Sequence, residues 1–318
     1  MKKMIAAAAF AVALAPSARA ADLVVYSAGP KPLSSALVKG FTDETGIKVN
    51  IFQSNSGKVM ARYQAEKANP QVDVMISASW GHAITLDKKG ELMSYTSPNA
   101  ANVPASLKTG TYTAQGAAAI AIAYNTKSGL PAPKEWADLT KPVYKDQVTM
   151  PDPAKSGSAL TLIQGLASKN ESKTWDMFEQ LIKNGMIVPG PNNAALTPVL
   201  QGARGVVFGA VDYIALGLKA KGESLEVVYP QSGTVLAPRP IMILKSAHNA
   251  EGAKKFVDYV LSKAGQAMVA KRLILPARTD VSAKRPGWND LKIIDFDYVK
   301  AAAMALETKE KFAEIVRK

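Results

Sequence analysis

Residues 23–57 read LVVYSAGPKPLSSALVKGFTDETGIKVNIFQSNSG, and the breaks within that stretch set the fold class. Residues 23–26 are an apolar, β-branched run that ends in Ser27-Ala28-Gly29-Pro30, the composition of a strand entering a turn. Leu33, Leu37 and Phe41 then recur at helical spacing, and Gly46 stops the helix. Residues 47–52 form a second strand, and Ser54-Asn55-Ser56-Gly57 opens a helix running to about residue 67. A third unit repeats the order: a strand over 72–76, the turn Ser77-Ala78-Ser79-Trp80, and a helix that stops at Gly90. Repeated strand–turn–helix units predict an α/β fold with a mainly parallel sheet, in which ligands sit at the C-terminal ends of the strands.

The same grammar continues outward. A strand over 148–153 leads into Ser156-Gly157-Ser158 and an apolar helix over 159–167. Helices follow over 196–200 and 210–219, with strands over 206–208 and 225–229. Residues 117–124 and 241–244 read as extended segments crossing between two halves, and 250–269 and 298–316 read as helical. The predicted layout is a hinged clamp: one lobe from 21–120 plus 240–318, the other from 121–239, with the ligand in the cleft between them.

At the N-terminus, Lys2 and Lys3 precede an apolar run over 4–16 and the small-x-small triplet Ala18-Arg19-Ala20. That order predicts a cleavable signal peptide over 1–20 and export to the periplasm. The run is too short for a comfortable bilayer anchor. The chain of 318 residues carries a net charge of +13, and cleavage would remove three positive residues, Lys2, Lys3 and Arg19. The surplus that remains suits an acidic ligand or a solvated basic surface. It does not point to nucleic acid, because no basic cluster is interleaved with aromatics. The chain has no cysteine, which removes disulfides, thiolate metal sites and cysteine nucleophiles. Only His82 and His248 could supply imidazole, and neither has metal-ligand company in sequence. There is no G-x-S-x-G or H-E-x-x-H motif, so neither an enzyme nor a cofactor is expected.

Several longer phrases carry a family resemblance: FTDETGIKVNIF at 41–52, SGKVMARYQAEKANPQVDVMIS at 56–77, PKEWADLTKPVYKDQVTMPDP at 133–153 and VVFGAVDYIALGLKAKGESLEVVYP at 206–230. In their order and spacing the chain resembles the periplasmic solute-binding proteins of ABC importers, in the ferric-binding and phosphonate- or organophosphate-binding group. The resemblance implies the type II architecture of two α/β lobes. It also implies lobe closure on a small solute, and a monomer that delivers it to a membrane permease driven by a separate ATPase.

Two ligand classes follow. In the ferric branch of the group, metal is held by a His, a Glu and a pair of tyrosines. Here Pro30 and Ala78 align with the first two, and only Tyr213, followed by Ile214, is left of the pair. A lone phenolate is a poor Fe(III) site, so iron held by Tyr213 with an accompanying anion stands as the alternative. The leading expectation is a small anion such as a phosphonate, an organophosphate or a carboxylate. Ser54, Asn55, Ser56 and Gly57 in one lobe and Ser156, Gly157 and Ser158 in the other lie at helix starts, where unpaired N–H groups and the helix dipole favour negative charge. Simple N-capping is the competing reading of both turns. Ser27, Ala28, Ser77, Ser79 and Trp80 end strands of the first lobe and are further candidates; Trp80 could wall the pocket, although an aromatic at this spacing is more often core. Asp212 and Tyr213 match the binding segment of the family, although Asp212 also suits a helix start. Arg204 and Arg239 offer guanidinium forks, and both read as surface residues.

Overall fold

The computed structural model describes residues 22–317; the expected leader over 1–20 lies outside them. In the first lobe, β1 (Leu23–Ser27), α1 (Lys31–Thr45), β2 (Val49–Gln53), α2 (Ser56–Ala65), β3 (Val74–Ile76) and α3 (Trp80–Lys88) alternate as expected. β1 pairs in parallel with β2 and β3 on its two sides. Helix α1 buries Leu33, Leu37 and Phe41 against this sheet, and it ends where Gly46 takes φ 72° and returns its N–H to the Thr42 carbonyl. Buried Asp73 ties the lobe together, accepting from the amides of Val24, His248 and Asn249 at 2.7–3.0 Å.

The crossing segments are longer than their sequence signature. β4 (Tyr112–Asn125) and β9 (Leu236–Ile243) pair antiparallel, and β4 belongs to the sheets of both lobes. Its AAAIAIA run is buried on both faces, which is why it shows no polar alternation. The strand order is β2-β1-β3-β9-β4, continuing through β7 (Val206–Val211), β5 (Val148–Pro151) and β6 (Ile187–Gly190). In the second lobe β5 pairs in parallel with β6 and β7. Its helices are α4 (Gly157–Lys169), α5 (Glu171–Lys183), α6 (Asn192–Leu200) and α7 (Asp212–Lys219), with β8 (Leu225–Val228) beside β4. Helix α5 and strand β6 were not anticipated. Their signal was present: Asn170 caps α5, and Trp175, Phe178 and Leu181 mark its buried face.

The C-terminal third corrects one expectation. The helix read over 250–269 is two helices, α8 (Ala250–Leu261) and α9 (Lys263–Lys271), because Ser262 ends one and caps the next. β10 (Leu275–Pro276) then joins β4, and α10 (Tyr298–Ala303) and α11 (Ala305–Arg317) finish the chain. The last helix, α11, packs against α4 and α5. Phe312 meets the Phe178 ring at 5.4 Å, and Phe178 continues through Phe208 to Trp136. Lys311 pairs with Glu171 at 3.1 Å. No described helix is long and apolar enough to cross a membrane.

Candidate ligand-binding cleft

A cleft of about 1340 Å³ lies between the lobes. From the first lobe it is lined by the turn after β1 (Ala28, Gly29, Pro30, Lys31) and the segment after β2 (Gln53, Ser54, Asn55). The second lobe contributes Asn192 and Asn193 at the start of α6 and Tyr213 at the start of α7. These are C-terminal strand ends and helix starts, where an α/β sheet places its ligands.

The cleft is electrostatically one-sided. Lys31, Lys221, Lys271 and Arg272 line it, and no Asp or Glu does. The N-termini of α2, α6 and α7 also open onto it, at Asn55, Asn192 and Tyr213. Asn55 caps α2 by accepting from Lys58 N at 3.0 Å, and Ser156 caps α4 by accepting from Ala159 N at 3.2 Å. The Ser156 hydroxyl donates to Asn192 Oδ1 at 2.8 Å, which joins the start of α4 to that of α6. Unpaired N–H groups, aligned dipoles and four cations all favour an anion between them.

Of the sequence candidates, Ala28, Ser54, Asn55 and Tyr213 line the cleft. The others are placed beneath or beside it. Ser27 is fully buried; its hydroxyl accepts from Gly29 N and lies 3.0 Å from that of Ser34, so it shapes the turn below Ala28. Ser77 accepts from Ser79 N at 3.1 Å and lies 2.8 Å from His82 Nδ1. Trp80 stacks edge-on against Tyr112 in the core, 4.8 Å between ring centres, rather than walling the cleft. Asp212 is wholly buried and already engaged, accepting from Ala119 N, Tyr213 N and Tyr229 OH and pairing with Arg285 at 2.6 Å. A hydroxyl or amine on a ligand has no approach to it.

The remaining candidates make the contact between the lobes. A Cβ built on Gly57 would stand 2.6 Å from the Ala154 carbonyl oxygen across the cleft. One on Gly157 would stand 2.6 Å from Ser79 Cβ and 3.0 Å from the Ala78 carbonyl oxygen. Ser56, Ser79, Ser156 and Ser158 are buried around these approaches. The two serine turns therefore meet the facing lobe, and the clamp is closed.

Arg239 is the main residue that the sequence misplaced. It is 2% exposed, not at the surface, and its Nη2 donates to the Ala28 carbonyl at 2.8 Å. Its guanidinium carbon lies 5.8 Å from the centre of the Tyr213 ring. Burial pushes the Tyr213 hydroxyl above its ordinary value, with Arg239 opposing the shift. Asn192 and Asn193 were missed too, although Pro191 followed by two asparagines is a legible helix start. Arg204 is half-buried and donates to the Gly185 carbonyl at 2.8 Å, outside the cleft.

His82 holds the turn behind Ala78. Burial, helped by the Lys309 ammonium, pushes its imidazole down to about 4 from the ordinary 6.5. Because the folded value is depressed, the neutral ring contributes its full stability above about 6.5 and loses it as the pH falls toward 4. The melting temperature should therefore drop less between those pH values in His82→Gln than in wild type. Equal drops would remove His82 from the acid response.

A second hollow, of about 550 Å³, separates α4 and α5 from α10 and α11. Its charges are of both signs, and Lys311 both pairs with Glu171 and covers the Trp175 ring at 4.7 Å. It lacks the uncompensated field of the cleft.

Comparisons with known proteins agree with the two-lobed α/β fold. The family model for bacterial extracellular solute-binding proteins matches residues 62–302. The chain superimposes with a TM-score of 0.85 on the periplasmic binding protein AfuA from Actinobacillus pleuropneumoniae, solved with exogenous fructose 6-phosphate. That match has 28% identity and covers 93% of this chain and 98% of that one. A putative 2-aminoethylphosphonate-binding periplasmic protein of Salmonella typhimurium is 24% identical over 94% of this chain and 88% of its own length. Iron-bound HitA from Pseudomonas aeruginosa shares the fold at 21% identity and a TM-score of 0.81, over 92% of this chain and 99% of that one.

Proposed function

The chain belongs to the bacterial extracellular solute-binding protein family, and from that premise we propose that it is the periplasmic receptor of an ABC importer for a small organic oxyanion. The reading rests chiefly on the cleft, which joins four cations and the N-termini of α2, α6 and α7 without a carboxylate in its lining. Such a lining supplies hydrogen-bond donors and positive potential and leaves the negative charge to the solute. A phosphonate or phosphate ester fits it well, and the names of two relatives refer to phosphorus oxyanions. A carboxylate is the remaining member of the class.

In this role the leader over 1–20 is removed on export and the protein acts as a monomer. Lobe closure around the solute biases an open–closed equilibrium, and the closed form is the one offered to a permease driven by a separate ATPase. No covalent chemistry is required of the cleft. In the ferric alternative Tyr213 would bind Fe(III) with an accompanying anion, next to the Arg239 guanidinium and among the cations that line the cleft. That surrounding charge supports the organic anion over the ion.

A thermal-shift screen tests the choice. A ligand at a hundred times its Kd raises stability by about 2.7 kcal/mol. Phosphate esters or phosphonates should raise the melting temperature in the presence of a chelator. A rise with Fe(III) alone would favour the alternative.

A further inference from the structure

Among the described residues, two buried side-chain atoms have no hydrogen-bond partner, Arg239 Nε and Gln115 Oε1. Both lie where the crossing strands part. β4 and β9 pair at Ala114–Pro240 and again at Ala117–Pro238, and the intervening Gln115 and Gly116 bulge opposite Arg239. Pro238 and Pro240 flank Arg239 and restrict its backbone. The side chain is thereby held at the back of the cleft, with Nη2 on the Ala28 carbonyl and the Tyr213 ring alongside. It makes no ion pair among the described residues, whereas buried Arg278 and Arg285 pair with Asp280 and Asp212.

A buried guanidinium without a counterion is a costly arrangement. Arg239 lies just behind the cleft lining, against Ala28 and Tyr213, which both face the cleft. We propose that Arg239 is the charge-selecting residue of the receptor, its Nε–H taking an oxygen of the ligand's anionic group. The inference rests on the anion-receptor reading and narrows it. The solute must carry a full negative charge deep enough to reach the crossing strands, and a neutral analogue of the same size is rejected. Arg239 sits on β9, which pairs with β4, the strand common to the sheets of both lobes, so the contact also links the ligand's charge to the hinge.

The test uses Arg239→Met and Arg239→Lys, titrated calorimetrically with fructose 6-phosphate and 2-aminoethylphosphonate, and with fructose as the neutral control. Wild type should bind at least one phosphorus oxyanion and not fructose. Arg239→Met should weaken that binding about thirtyfold or more, the loss expected for one charge-assisted contact. Arg239→Lys should recover part of it. Without ligand, Arg239→Met should melt at or above wild type, because an uncompensated charge has been removed. A methionine variant that binds as tightly as wild type would overturn the assignment of Arg239 alone. So would a ligand-free methionine variant that melts well below wild type, since the guanidinium would then be a structural tie to Ala28. A wild-type protein bound by neither oxyanion would overturn the assignment together with the anion-receptor reading.

Discussion

The double variant Gly57→Ala/Gly157→Ala is expected to fold normally and to bind its solute at least about thirtyfold more weakly than wild type. Both glycines lie in the first turn of a helix, and neither takes a positive φ, so alanine suits the local backbone. Each lobe alone should tolerate the change. The closed clamp should not, because the new methyl groups would stand 2.6 Å from Ala154 O and from Ser79 Cβ on the facing lobe. Overlaps of that kind cost about 1–3 kcal/mol each, and they act on the closed state only. Affinity then falls with the closed population, about tenfold for each 1.4 kcal/mol. Small-angle scattering in saturating ligand should show the variant more extended than wild type. If the variant binds within a fewfold of wild type and compacts equally, the glycines do not gauge closure.

Replacing Arg285 with Met is expected to lower stability by about 3–5 kcal/mol, because it strands a buried carboxylate. Arg285 and Asp212 are both fully buried and lie 2.6 Å apart. Burial pushes the Asp212 carboxyl above its ordinary value, and the guanidinium opposes that shift. Asp212 also receives the amides of Ala119 and Tyr213 and the Tyr229 hydroxyl, so one carboxylate fastens α7 to the crossing strand β4. Loss of the cation should loosen the wall that carries Tyr213 as well as lower the melting temperature. Pairing Arg285→Met with Asp212→Asn should recover much of the loss, since no buried charge is then left alone. A double variant less stable than either single would show that the two residues act independently.

How far these sites could be read from sequence depended on whether the signal was local. The alternation of strands and helices in the first lobe was legible because apolar spacing, Gly46 and Asn55 act within a few residues of the elements they bound. The ends of the crossing strands were less so, since β4 is buried on both faces and carries no period. The docking of α11 depends on Phe312 meeting Phe178, more than a hundred residues earlier, and no local pattern encodes that. The same holds within the site. Ser54, Asn55 and the Ser156 turn were recognisable as helix starts, but which of them lines the cleft and which meets the other lobe is settled by closure. Arg239 looked like an exposed fork because arginine usually is one. Its burial comes from the approach of the crossing strands to the turn at Ala28. Asp212, which resembled a ligand group, is consumed by a partner 73 positions later in the chain.

In the proposed receptor a phosphorus oxyanion or its carboxylate analogue is held by amide hydrogens and cationic side chains, with no metal ion between. Phosphorus NMR of chelator-treated protein, mixed with phosphate esters and phosphonates, tests it most directly. At least one member of the panel should give a shifted bound resonance in wild type that is lost in Arg239→Met. Phosphorus lines that all stay at their free positions, with added Fe(III) instead producing the charge-transfer band of a tyrosinate, would contradict an anion receptor.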